Sequence, residues 1–178
     1  MQALTKDQVR EYCREFYEVT EEGILYPNGL SNNASKLEIQ TPEEHRRIVS
    51  LAHDILLFRD ISLFGGGFVW LQRWDVGVSE LVRPGWMILE DIRRAHGDLR
   101  SLEIAPAQLF RHDEFVELHA FLIQIMAYGW DAYFIPGGEF FFTFRGSGKL
   151  YCEAKSSETL DDLSSALAAW EPSRERAE

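Results

Sequence analysis

Cysteine is scarce in this chain. Cys13 and Cys152 are the only two among 178 residues. So few thiols exclude the disulfide framework of a small secreted domain. Both fall on apolar faces of expected elements, Cys13 on a helix and Cys152 on a strand, where a thiol behaves as a small hydrophobe. A reducing, cytoplasmic setting is therefore expected. Basic side chains are also in deficit, with 18 Lys and Arg against 29 Asp and Glu, for a net charge of -11. A surface of that sign repels phosphate backbones, so no nucleic-acid partner is expected. An anionic membrane surface is disfavoured for the same reason. Long apolar runs are missing too, and none approaches the roughly 20 residues of a membrane-spanning helix. Residues 1–14 mix charges from Lys6 onward and carry no apolar signal-peptide core. The expectation is a soluble protein with no membrane partner, retained in the cell that makes it.

Apolar and aromatic side chains are abundant. They make up 46% of the chain, with twelve Phe and five Trp, which is enough for a sizeable core and excludes a disordered chain. The length matches one domain. We expect a single globular domain over residues 1–172 and a charged, disordered tail over 173–178.

Local patterns place the elements. Thr5 and Gln8 form a capping box, and Val9, Tyr12, Cys13, Phe16 and Tyr17 recur at helical spacing towards a stop at Gly23. Residues 26–35 read as a loop rich in Asn, Gly, Ser and Pro. Residues 36–40 read as a short strand. Thr41, Pro42 and Glu44 mark the start of a helix whose buried stripe is Ile48, Leu51, Ala52, Ile55 and Leu56. Phe68, Trp70 and Trp74 alternate as in a strand, with a turn at 75–77 and a second short strand ending near Val82. Pro84 opens a helix carrying Trp86, Leu89 and Ile92, stopped at Gly97. Residues 102–105 read as a strand ended by Pro106. Residues 113–128 form a strong helix with Phe115, Leu118, Leu122 and Ile125 inward and Gly129 as terminator.

The last third reads as a β-meander followed by a helix. Strands at 132–135, 140–145 and 150–155 are separated by glycine turns. The turn at residues 146–148 predicts a hairpin with Phe144 opposite Leu150 and Phe142 opposite Cys152, all on one buried face. A helix from Ser157 to Trp170 follows, with Glu158, Asp161 and Asp162 near its positive end. The fold class is therefore α+β. It has a mixed, mainly antiparallel sheet of about five or six strands, with helices packed on it and one face partly open.

Motifs that carry chemistry are missing. Gly65–Gly67 runs from helix to strand, the reverse of a phosphate loop, and the glycines before Lys149 enter a strand. His45 and His53 share one helix, and His112 and His119 lie about two turns apart at another. No closed ligand set accompanies them, so no metal or cofactor is expected. His112 is expected to cap its helix. No nucleophile elbow is present. Asp131, Glu139 and Glu153 lie on or beside the late hairpins as candidate carboxylates, but acids are too common for a pair to be diagnostic.

The aromatic load is the most distinctive feature. The run Phe140–Phe144 is expected to be a central strand buried on both faces. Trp74, Trp86, Trp130 and Tyr133, with Asp131 and Glu139, are the candidate binding residues, because interfaces favour Trp and Tyr. These features suggest a small acidic, bacterial-type binding or inhibitor module for a basic protein partner. By composition alone it is similar to toxin-neutralising, immunity-like proteins. The competing reading is a small hydrolase or ligand-binding enzyme with a cleft beside the C-terminal hairpins. A third is a purely structural subunit held in an oligomer, such as a homodimer, by the open sheet face.

Overall fold

A computed structural model of the chain describes residues 1–14, 17–19, 25–27, 36–58, 67–73, 83–137 and 139–170. The chain enters through β1, Gln2–Leu4, and turns into α1, Lys6–Cys13. The capping box forms as expected: Thr5 N donates to Gln8 Oε1 at 2.9 Å, and Gln8 N donates to Thr5 Oγ1 at 3.4 Å. The helix ends well before Gly23, and Tyr17 instead lies in β2, Tyr17–Val19, paired with β3, Leu25–Pro27. Tyr-Glu-Val-Thr is a strand-favouring sequence, and a short isolated helix gains little from two further turns. Tyr26 and Pro27 therefore belong to a strand, not to the expected loop.

β4 spans Lys36–Gln40, as expected, and α2 spans His45–Leu57. All five stripe residues of α2 are buried. Its start differs from expectation, because Glu44 takes the N-cap position without a side-chain capping bond. Thr41 N donates to Gly148 O at 2.8 Å, and Gln40 Nε2 donates to the same carbonyl at 2.8 Å. These bonds hold the end of β4 on a distant turn and delay the helix. β5 is Gly67–Arg73. The second short strand expected before Val82 lies outside the described residues, as do the 65–66 glycines and the tail from residue 171.

α3 spans Arg83–Ala95, and Gly97 follows it with a φ of 83°. The strand expected at 102–105 is a turn, because Ile104 N and Ala105 N both donate to Ser101 O at 3.1 Å. β6 follows Pro106, at Ala107–Phe110, where both neighbouring strands can pair with it. α4 spans Phe115–Tyr128 and ends at Gly129, whose φ of 61° suits a residue without Cβ. The meander follows as β7, Asp131–Ile135, β8, Phe140–Arg145, and β9, Lys149–Ala154. Phe142 pairs with Cys152 and Phe144 with Leu150, the expected hairpin register. α5, Ser157–Ala166, and a 3-10 turn, Ala168–Trp170, close the described chain.

Seven strands form one antiparallel sheet in the order β1-β6-β5-β7-β8-β9-β4. The architecture is α+β, with one strand more than the upper expectation. On the first face, Val69, Leu71, Phe134, Phe142 and Leu150 pack with the apolar stripes of α2 and α4 and with Leu89 and Leu163. On the second face, Val9 and Cys13 of α1 pack on Phe68, Trp70, Tyr133, Ile135 and Phe141. Towards β9 and β4 that second face turns polar. There Lys36 pairs with Glu153 at 3.0 Å and Lys149 with Glu38 at 2.7 Å. Burial of Phe140 to Phe144 makes β8 the two-sided strand expected from its aromatic run.

Candidate functional site

A cleft of about 710 Å³ opens at the β1 edge of the sheet, lined by residues 1–3, residues 96–100 and Arg111. Its shape follows from how α3 ends. His96 N and Asp98 N return to Arg93 O at 3.0 and 3.1 Å, and the left-handed Gly97 lets the chain reverse. Asp98 and Arg100 then face each other. Arg100 Nε donates to Asp98 Oδ1 at 3.1 Å and Nη2 to Oδ2 at 2.7 Å, a two-bond fork. Nη2 also donates to Ala3 O at 2.9 Å, which ties the loop to β1. These bonds hold the Asp98 carboxyl below the usual carboxylate range and raise the Arg100 guanidinium.

Arg93 lies behind this pair on the inner side of α3, with 1% of its surface exposed. Its Nη2 is 3.7 Å from Asp98 Oδ2, close enough for charge attraction but not for a hydrogen bond. Among the described residues, none of its three guanidinium nitrogens has a hydrogen-bond partner. Burial lowers its pKa, and the nearby Asp98 charge acts in the opposite direction. On the other wall, His96 places Nδ1 3.5 Å from Glu114 and Nε2 3.5 Å from Glu117. Glu114 accepts from Arg111 N at 2.8 Å and pairs with the amino group of Met1.

The residues expected to bind a partner are dispersed. Trp74 lies outside the described residues. Trp130 and Tyr133 are buried, so the expectation that they anchor a partner at the surface is corrected. Trp130 stacks on Tyr128 at 5.6 Å, while Tyr133 sits between Trp70 and Phe141 at 6.1 and 6.0 Å. Large rings beside a two-sided strand fill its cores before they can face solvent. Trp86 is half-buried against the first-face core. Asp131 accepts from Gly146 N at 2.6 Å and serves a turn. Glu139 is exposed beyond the far end of β7, about 13 Å of strand away. The structure does not bring these two carboxylates together.

The remaining candidate histidines do not converge on one site. His112 is exposed and does not cap α4, whose N-cap position belongs to Glu114. His119 Nε2 lies 3.2 Å from Val49 O, and its ring meets His53 edge-on at 6.0 Å. Among the described residues, no group of three or more His, Cys, Asp or Glu is placed to hold a metal. Also among them, no helix is long and apolar enough to cross a membrane.

Both thiols are buried. Burial pushes Cys13 up to about 12 and Cys152 higher still. Thiolate is the reactive form, so both are expected to resist a disulfide reagent at pH 8 and to react together once the chain is denatured. Stoichiometric labelling of the native protein within minutes would contradict this.

Sequence reasoning missed the group of Arg93, Asp98, Arg100 and Arg111. One signal was available: Trp86, Leu89 and Arg93 follow 3-4 spacing, which puts an arginine in the buried stripe of α3. No family model, curated protein or solved structure matches this chain.

Proposed function

We propose that this chain is a protein-binding module whose acidic surface receives a basic protein partner. The observation that carries this reading is the exposed side of α3. Met87 and Ile88 stand there 53% and 42% exposed, next to half-buried Trp86 and one turn from exposed Asp91. Glu90 and Asp91 both pair with Arg94, at 3.1 and 3.0 Å, which leaves one net negative charge beside the apolar centre. Such a patch has the anatomy of an interface, where apolar contact holds the complex and charge speeds encounter. The excess of 11 negative charges supplies a long-range field of the required sign. In this reading the anchor lies on α3, because Trp130 and Tyr133 are buried. An inhibitor of a basic protein and a simple docking module are both forms of this function.

The test begins with affinity capture from source-cell extract at low salt, followed by kinetics with the purified partner. Association is expected to slow steeply as the screening length falls from about 10 Å at 0.1 M salt to about 3 Å at 1 M. Dissociation is expected to change little with salt and to speed up in a Met87→Ser, Ile88→Ser variant. An acidic partner, or an association rate flat across ionic strength, would refute the reading.

A further inference from the structure

The cleft at the β1 edge presents unequal charge. Its nearest carboxylates are engaged, Asp98 by the Arg100 fork and Glu114 by the Met1 amino group and Arg111 N, while Glu117 and Asp113 act on the Met1 amino group from further out. Its cations are not all engaged. Arg111 lines the cleft as an exposed residue whose side chain has no hydrogen bond or ion pair among the described residues. Arg100 uses Nε and Nη2 on Asp98 and Ala3, which among the described residues leaves Nη1 without a hydrogen bond on a side chain 41% exposed. Arg93 sits behind Asp98 with no hydrogen-bonded nitrogen among the described residues. Two guanidinium groups therefore share one carboxylate under the cleft wall.

From this geometry we infer that the cleft binds a small organic oxyanion, a carboxylate- or phosphate-bearing molecule, through Arg111 and the free edge of Arg100. Guanidinium groups offer planar, paired donors that match such oxygens. The cleft, about 710 Å³, is open to solvent on most of its boundary, so it has room for more than the anionic group and the arginines carry the recognition. Leu99 stands 83% exposed at the rim and offers an apolar contact for the rest of the ligand. The net charge of -11 opposes an approaching anion. At physiological ionic strength that opposition is screened beyond about 8 Å, so it slows entry while contacts within the cleft set affinity. The basic-partner reading uses a different surface, and either can fail alone.

The test titrates the 15N-labelled protein with pyrophosphate and, separately, with citrate, against sodium chloride at matched ionic strength. Saturable amide shifts are expected at His96, Gly97, Arg100 and Arg111 with at least one probe. Arg111→Gln is expected to weaken that binding about tenfold or more, the loss of one charged hydrogen bond. Arg111→Lys is expected to restore part of it by charge without the fork. Saturation by pyrophosphate alone assigns a phosphate ligand, and saturation by citrate alone a carboxylate. An unchanged Arg111→Gln spectrum away from the cleft controls for folding. Absence of saturable shifts with both probes up to about 10 mM, or binding indifferent to Arg111→Gln, would overturn the proposal.

Discussion

Asp98→Asn is expected to destabilise the protein by about 3–5 kcal/mol at pH 7, because it leaves Arg93 as an uncompensated buried charge. For a chain of this size that is a fall in Tm of roughly 10 °C. Arg93 is 1% exposed, and the charges that offset its burial are Asp98, 3.7 Å away, and the more weakly acting Glu90. Arg93→Met is expected to be far milder, since replacing a buried charge by an apolar side chain of similar volume is often neutral. The double variant should therefore recover most of what Asp98→Asn loses.

The pH dependence follows from the direction of the Asp98 shift. Hydrogen bonds from Arg100 depress its folded pKa below the ordinary 3.8. Its contribution is therefore complete above about pH 4 and disappears as pH falls through the folded value. The gap between wild type and Asp98→Asn should stay constant from pH 7 to about pH 5 and close in stronger acid. Urea titrations across that range measure it. A loss under about 1 kcal/mol at pH 7 would mean that Arg93 is compensated in some other way.

Phe142→Ala is expected to cost about 3–5 kcal/mol. The ring is fully buried, stacks on Phe134 at 6.0 Å and 11°, and meets Phe140 edge-on at 5.8 Å. It joins β7 to β8 directly, because Phe134 and Phe142 are register partners. Phe142→Leu keeps much of the volume and should cost less than half as much. Urea unfolding with an unchanged m-value would assign the loss to the native state. A change near zero would place the ring outside the core.

How much of the fold was legible depended on the range of the signal. Stripes such as Ile48, Leu51, Ala52, Ile55 and Leu56 repeat within one helix, and all five are buried. The 140–154 hairpin carries its register in its own turn length and alternation, and Phe142 does face Cys152. β1 has three residues, too few to show a period, and exists because β6 pairs with it. β6 was misplaced by one proline, because Ser101 draws the preceding residues into a turn. The candidate site was the least legible part. Arg100 bonds to Ala3 across 97 positions, and no local pattern records such a contact.

The sequence by itself determined the class of fold, the inward stripes of the long helices, the meander, the inward position of both cysteines and the negative charge. Each of these is set by composition or by side chains within a few positions of one another. Tertiary structure alone decided where the aromatic side chains went and where charge was left unbalanced. Trp130 and Tyr133 became core because strands and helices distant in sequence closed over them. Arg93 and Arg100 came to share Asp98 because the end of α3 folds back against β1. Burial and ion pairing depend on which surfaces meet, and that is a property of the folded chain.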